Sequence, residues 1–425
     1  MQSQLDKTYS RSYRRYVLFI LTGVYTFNFI DRQILVILQE PIKAELGLSD
    51  TQLGLLTGLA FAVLYVTLGL PIARYADRSN RKNIISISLM IWSAMTAISG
   101  LAQNFIQLLL ARIGVGIGEA GGSPPAHSII SDYFKPEKRA TALSIYSSGV
   151  YIGICLGFVI GGIIAQQYGW RMALFALGIP GILYAVLVWA TVKEPLKGRT
   201  DQKATPTERY SFKQVVNTLF SKKTFVFVAF AAAFQAFNNY AIGNWLPSFF
   251  GRIHSMELQT IGITIGLIAA VGGGMGTFMG GYLTDRLRKH NIRWYFWLPA
   301  IAIVVNMLPA SFVFFGANTK FVLAVLVLSY FLSALYLGPS IGITQSLVPA
   351  QMRAFASAVL FFVLNIIGLG LGPFTIGAIS DFLEPNFGKQ SIRYAFVLTF
   401  FTGTIAATLF YFASRHYEHD ILKTT

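Results

Sequence analysis

Charge is scarce in this chain. Asp, Glu, Lys and Arg make up 12% of its 425 residues, about half the share of an average soluble domain. Hydrophobic residues make up 54%, and long apolar runs recur, each able to cross a hydrocarbon core of roughly 30 Å. An ordinary soluble domain is excluded. So is a β-barrel, whose strands alternate apolar and polar residues instead of staying apolar. Cysteine is almost missing: Cys155 stands alone, which rules out a disulfide framework or a thiolate metal cluster. With five histidines, no HExxH pattern and no paired intramembrane histidines, the metal-hydrolase pattern is missing too. The expectation is an all-α membrane protein that is not an enzyme and uses no cofactor.

Acid is scarcer than base, 18 residues against 34, for a net charge of +16. Nucleic-acid binding is one explanation, and the distribution of the basic residues argues against it. Twelve apolar spans can be placed near 16–38, 52–73, 83–103, 105–131, 140–165, 170–192, 223–250, 258–283, 293–315, 319–347, 355–380 and 391–414. Of the 34 Lys and Arg, 26 fall in the termini and in the connections on the N-terminal side, and six fall in the opposite loops. Arg32 and Arg112 lie inside spans. Basic residues collect on the cytoplasmic side, so both termini are expected there, with no nucleic-acid partner. The opening MQSQLDKTYSRSYRRY lacks a short apolar core with a small-residue cleavage site and reads as mature sequence.

A polar, basic linker divides the chain into an N-terminal half, 1–192, the linker itself, 193–222, and a C-terminal half, 223–425. The linker reads as a tether over anionic headgroups, with a short surface helix around Tyr210–Leu219. The halves repeat. Ala73-Arg74-Tyr75-Ala76-Asp77-Arg78 follows span 2, and Gly281-Tyr282-Leu283-Thr284-Asp285-Arg286 follows span 8, with the Asp-Arg pairs 208 residues apart. Phe134 to Arg139 after span 4 is echoed by Val348 to Arg353 after span 10. Gly149/Gly153/Gly157/Gly161 of span 5 are echoed by Gly368/Gly372/Gly377 of span 11. Duplication of this kind builds many secondary transporters, with a central site between the repeats.

These residues resemble the major facilitator superfamily: the AxYADRSNRK and GYLTDRLRK loops, Arg112 with Gly114, Gly116 and Gly118 in span 4, and the span-5 glycines. The resemblance runs over the whole chain and implies twelve transmembrane helices in two six-helix halves. Within that superfamily the chain resembles spinster-type transporters, through Asn28-Phe29-Ile30-Asp31-Arg32, Asp77 to Lys82, and Arg112 to Ala120 with Pro125 and Ile129-Ile130-Ser131-Asp132. Animal members are associated with export of sphingosine phosphate and lysophospholipids, so the resemblance implies an amphipathic lipid substrate. The same charged residues resemble proton-coupled organic-anion symporters of sugar acids. The short loops suggest a prokaryotic member in a bacterial inner membrane. By the same resemblance, Asp77, Arg78, Arg81, Asp285, Arg286, Arg139 and Arg353 are expected to latch the outward-facing state across the cytoplasmic face. Topogenic charge also applies to Arg81, Lys82, Arg288 and Lys289.

Asp31, Arg112 and Glu119 are ionisable groups at bilayer depth, each costing roughly 2.5–3.5 kcal/mol on insertion scales. Asp31 lies seven residues from the outer end of span 1, and Arg112 lies seven residues down span 4. At 1.5 Å per residue both sit about 10 Å below the surface. Glu119 is seven residues further on, near the midplane and on the face of Arg112. Burial disfavours a charged carboxylate while a nearby arginine favours it, so proton occupancy can follow conformation. Asp31 and Glu119 are therefore the proton-coupling candidates, with Arg112 as counter-ion or substrate ligand. The competing explanation is an ion-pair network that only ties spans 1 and 4. Coupling is preferred because charge in spans is rarely only structural.

Arg32 points about 100° from Asp31 and should not serve the same face. It binds a substrate anion or snorkels outward. Spans 7–12 show no comparable buried acid or base. They offer Gln235, Asn238, Asn239, Gln345 and Asn365, as substrate contacts or as ordinary interhelical amides. Gly114, Gly118 and Gly122 permit close packing, and Pro124-Pro125 should bend span 4. GVGIGEAGG lacks the Lys-Ser/Thr of a phosphate loop. His127 is either a proton relay or, more commonly for histidine, a hydrogen-bonded structural residue. The expectation is a monomeric secondary transporter working by alternating access around a central cavity. Its partners would be protons, membrane lipids and a small-molecule or lipid substrate. A proton-coupled sugar-acid symporter and a ligand-sensing receptor of transporter fold are the alternatives.

Overall fold

A computed structural model describes residues 9–76, 78–196 and 212–422, and among these every regular element is helical. Spans 1 to 3 are Arg11–Ile37, Asp50–Thr57 with Leu59–Ala76, and Arg81–Ser99. Span 4 is Phe105–Glu119 with Ser123–Tyr133, and spans 5 and 6 are Pro136–Tyr168 and Trp170–Thr191. Span 7 is Lys223–His254, span 8 runs through Leu258–Ile268 and Gly274–Leu287, and span 9 is Trp294–Phe315. Span 10 combines Thr319–Ala334 with Leu337–Ser346, and span 11 combines Arg353–Leu364 with Gly372–Phe387. Span 12 combines Ser391–Ala395 with Leu398–Leu422. Spans 8 and 11 pass through a wider π turn at Ala269–Gly273 and Asn365–Leu371.

Nine stretches of the described residues are long and apolar enough to cross a membrane, and one of them, Phe355–Ile421, runs through spans 11 and 12. Spans 1 and 3 are too polar to join that set. Span 1 carries Arg14, Arg15, Asp31 and Arg32, and span 3 carries Ser86, Ser88, Ser93, Thr96 and Ser99. Asp31, Arg32 and Thr96 among them belong to the site described below.

The helix ends follow local chemistry. Ser10, Asn80, Asn104 and Asn318 each cap a helix by accepting from the backbone N–H three residues on, at 3.0–3.1 Å. Span 4 bends where its prolines suggest, although the break itself is the turn Ala120–Gly122 just before them. Pro124 and Pro125 occupy the first turn of the next helix, where a missing N–H costs nothing.

The chain forms two compact units. The first contains Met1–Leu48, Ala60–Pro206 and Glu257–Gly266, and the second contains Ser49–Leu59, Thr207–Met256 and Leu267–Thr425. This differs from a cut at the linker by two short segments, beginning at Ser49 and Glu257. Their starts are 208 residues apart, the same offset that separates Asp77 from Asp285. The duplication also shows in the packing. In the first unit span 1 packs on span 5, and span 3 packs on spans 4 and 6. In the second, span 7 packs on span 11, and span 9 packs on spans 10 and 12.

Glycine makes the first of these contacts possible. A Cβ on Gly149 would lie 2.8 Å from the Thr22 carbonyl oxygen, and one on Gly157 would lie 3.1 Å from that of Ile30. Lipid tails are as apolar as leucine, so close packing, not water exclusion, holds such helices together. The second unit centres on span 7, whose Phe225, Ala229, Ala232 and Ala236 are buried with Phe296, Leu360 and Phe410. The helix expected near the end of the linker is Phe212–Phe220, which buries Val215 and Leu219 in that core. Tyr210 lies outside the described residues. Phe19, Phe278 and Phe401 are among the exposed phenylalanines, as lipid-facing positions allow.

Candidate functional site

The charges singled out in the sequence come together inside the first unit. Asp31, Arg112 and Glu119 are all buried, and the Arg32 Nε donates to Glu119 Oε2 at 2.7 Å. An Arg112 terminal nitrogen reaches the Asp31 main-chain oxygen at 3.4 Å. Neither oxygen of the Asp31 carboxyl has a direct hydrogen bond among the described residues. The side chains close enough to act on it are Glu119, Thr96, Arg112 and Trp92. Asn28 is the further polar neighbour of Glu119.

Two glycines of span 4 explain how these groups meet. At Gly116 an added Cβ would lie 2.9 Å from the Phe61 carbonyl oxygen, so only glycine lets span 2 come this close. At Gly118 it would lie 2.7 Å from the Trp92 backbone nitrogen, which brings Trp92 of span 3 in beside Asp31. The Arg32 guanidinium then sits over three rings, at 4.6 Å from Tyr65, 4.8 Å from Phe61 and 5.1 Å from Phe29. Desolvated cation–π contacts are worth about 2 kcal/mol or more, enough to help offset the burial of this charge. Arg112 also lies 5.7 Å from the Phe61 ring.

One expectation is overturned. Arg32 does not snorkel outward, because it turns inward as the direct partner of Glu119. Helical side chains lean toward the N-terminus of their own helix. On spans that run in opposite directions, two such side chains lean toward each other when one lies further along its span than the other. The long side chains of Arg32 and Glu119 meet at 2.7 Å. Arg112 does approach Asp31, as the depth estimate implied, but it bonds the backbone and not the carboxylate.

Lower in span 4, His127 meets Tyr146 edge-on at 5.1 Å, and Tyr146 stacks on Tyr25 at 4.5 Å. The amides of the second unit tie spans together. Gln235 and Asn239 both donate to the Ser333 carbonyl at 3.2 Å, and Gln235 also donates to Asn239. Asn238 donates to the Thr399 carbonyl at 3.2 Å and accepts from Thr402 at 2.5 Å. Gln345 donates to Ser357 at 3.0 Å, and half-buried Asn365 opens the π turn of span 11. The second unit also holds buried charge that sequence reasoning missed. Asp50 pairs with Arg252, and Lys222 donates to the Leu347 carbonyl at 2.6 Å.

The loop charges divide. Arg81 is buried and donates to Asp132 at 2.5 Å, Ser128 at 2.7 Å, Glu194 at 2.6 Å and the Pro195 carbonyl at 2.9 Å. The carboxylates of Asp132 and Glu194 offset the burial of its charge. Glu194 also accepts from the Lys82 N–H at 2.9 Å. Sequence gave no warning of Glu194, an acid just past span 6. Arg78, Arg286 and Arg353 are exposed and Arg139 is half-buried. Asp285 is exposed and pairs with Arg288 at 3.3 Å, while Asp77 lies outside the described residues.

The family model described as Major Facilitator Superfamily matches residues 21–373. The chain is 32% identical over 406 residues to an MFS-type efflux pump of Mycolicibacterium smegmatis, covering 95% of this chain and 93% of that one. It is 28% identical to a hexuronate transporter of Bacillus subtilis, covering 86% and 87%. To a sphingosine-1-phosphate transporter of Danio rerio it is 27% identical, covering 88% and 78%. Its fold matches a crystal structure of a bacterial homologue of the human lysosomal transporter spinster, inward-facing and unoccupied. The TM-score is 0.90 at 33% identity, covering 97% of this chain and 99% of that one.

Proposed function

This chain belongs to the major facilitator superfamily and is an integral membrane transporter, and on that premise we propose that it is a proton-coupled secondary transporter of an amphipathic anion, of lysolipid or sphingolipid type. It works by alternating access, with both termini in the cytoplasm of a bacterial cell. One observation carries this reading. A cation ringed by aromatic faces, Arg32, is held by a buried carboxylate, Glu119, beside a second carboxyl, Asp31, that has no direct hydrogen bond among the described residues. The Arg32 side chain is 11% exposed and that of Glu119 is 0% exposed, so an incoming anion meets the arginine first.

The chemistry follows from competition. An anionic head that takes Arg32 displaces Glu119. A carboxylate left alone in apolar surroundings takes up a proton rather than stay charged, because burying an unpaired charge is far costlier. Asp31 is the neighbouring group through which that proton can pass. The rings of Phe29, Phe61 and Tyr65 offer apolar faces beside the cation, as a molecule with a charged head and an apolar tail requires. The sphingosine-1-phosphate transporter among the relatives supports this substrate class, and the hexuronate transporter supports the sugar-acid alternative.

The test is a flux screen in proteoliposomes with sphingosine phosphate, a lysophosphatidate and glucuronate, each labelled. Flux of a lipid probe that glucuronate does not compete with is expected. Flux of glucuronate alone would replace the lipid reading with the sugar-acid one.

A further inference from the structure

The segment Ser49–Leu59 belongs to the second unit, although its covalent neighbours Leu48 and Ala60 belong to the first. Its helix, Asp50–Thr57, opens with a capping box between Ser49 and Gln52 and stops at Gly58. Gly58 has φ −110° and ψ −96°, outside helical values, and the rest of span 2 begins at Leu59. The outer part of span 2 is therefore a separate short helix joined to the remainder by one glycine.

What seats this helix is unusually polar. Arg252 donates to both carboxylate oxygens of Asp50, at 2.6 and 2.7 Å, and Ser380 donates to the same carboxylate at 2.7 Å. Asp381 accepts from the backbone N–H of Asp50 at 2.9 Å, and from the N–H and hydroxyl of Thr51 at 2.7 and 2.6 Å. The Asp50 and Arg252 side chains are 2% and 10% exposed. Two-pronged arginine–carboxylate pairs are among the strongest hydrogen-bonded contacts and the most geometrically specific. Beneath them, glycine permits backbone contact. A Cβ on Gly54 would lie 2.9 Å from the Phe374 Cα, and one on Gly58 would lie 2.7 Å from the Gly370 carbonyl oxygen.

The internal repeat supplies a comparison. Adding 208 turns Gly54 and Gly58 into Gly262 and Gly266, which pack on Phe158 in the first unit in the same way. The charges have no counterpart there. Leu258 stands where Asp50 does and Ala44 where Arg252 does, and the helix N-terminus is met by a neutral Gln166, whose oxygen accepts from the Leu258 N–H at 3.1 Å. Glycine packing and one neutral side-chain contact serve one copy. The other carries a charged network around the buried Asp50 in addition, so close packing does not account for it.

We propose that Asp50, Arg252, Ser380 and Asp381 form a charged clip that sets how often the first turns of span 2 leave their seat, with Gly58 as the hinge. This goes beyond the transport reading, because it names the contact that brakes one conformational step and does not depend on the substrate. Removing Arg252 leaves Asp50 buried without its main partner, and removing the charge of Asp381 weakens the cap on the same helix. Either change favours release of the segment.

Thr57 is a buried reporter at the hinge end of that helix. In a Cys155→Ala background, Thr57→Cys can be labelled with a soluble thiol reagent on the purified full-length chain in detergent. The parent should label slowly. Arg252→Met and Asp381→Asn should each label at least about tenfold faster, as local opening becomes easier. The double exchange Asp50→Arg with Arg252→Asp should bring the rate back toward the parent. Asp381→Asn is close to isosteric and keeps the ion pair, so it gives an answer even if Arg252→Met fails to fold. Labelling of the Asp381→Asn variant at the parent rate would overturn the clip.

Discussion

At the scale of single residues, the site turns on which carboxylate the arginines hold. Arg32 and Glu119 are in direct contact at 2.7 Å, while Arg112 touches Asp31 only through its backbone. Arg32 is therefore expected to act as the anion ligand, and its planar guanidinium matters beyond its charge. Lysine keeps the charge but loses the fork and the stacking on three rings. Arg32→Lys should raise the KM for the transported anion about tenfold or more, equivalent to roughly 1.4 kcal/mol, with the folded state retained. An unchanged KM would remove Arg32 from substrate binding. Asp31, Arg112 and Glu119 were legible in the sequence because charge stands out in apolar runs. The partner of Arg32 was not legible. A helical wheel gives the direction of the Cβ, whereas the pairing depends on how two long side chains lean from antiparallel helices.

At the scale of helices, glycine spacing was the clearest message. The four-residue repeat in span 5 meets span 1, and the Gly116 and Gly118 positions bring spans 2 and 3 against span 4. Gly157→Leu should therefore lower stability by about 1–3 kcal/mol or more, the range for overpacking a tight interface. The intruding side chain would start 3.1 Å from the Ile30 carbonyl oxygen. Gly69→Leu is the matched control, since nothing lies within 4 Å of its added Cβ. The melting temperature should fall for the first variant and hold for the second; equal behaviour would mean that glycine packing does not stabilise the span 1–span 5 contact. The clip of Asp50, Arg252 and Asp381 escaped sequence reading for a physical reason. Charge at a helix end is ordinary, so nothing in the pattern signals that Arg252 and Asp381 close on the first turn that carries Asp50. The amides of span 7 read equally as substrate contacts or as interhelical ties, and their hydrogen bonds tie span 7 to spans 10 and 12.

At the scale of the whole molecule, the duplication in the sequence reappears as two units with matching helix pairs, and the chain is a transporter of the major facilitator superfamily. Its scarce charge is spent in two ways. Most basic residues mark the ends of spans, 26 of 34 on one side, and a few acids and arginines sit within the spans, where each has to be held or neutralised. The central claim is that Asp31 and Glu119 couple proton movement to transport. The most direct measurement is flux of the transported probe in proteoliposomes under an imposed pH gradient, for the parent, Asp31→Asn and Glu119→Gln. Gradient-driven flux is predicted for the parent and its loss to background for both folded variants. Undiminished gradient-driven flux in the two variants would contradict the account.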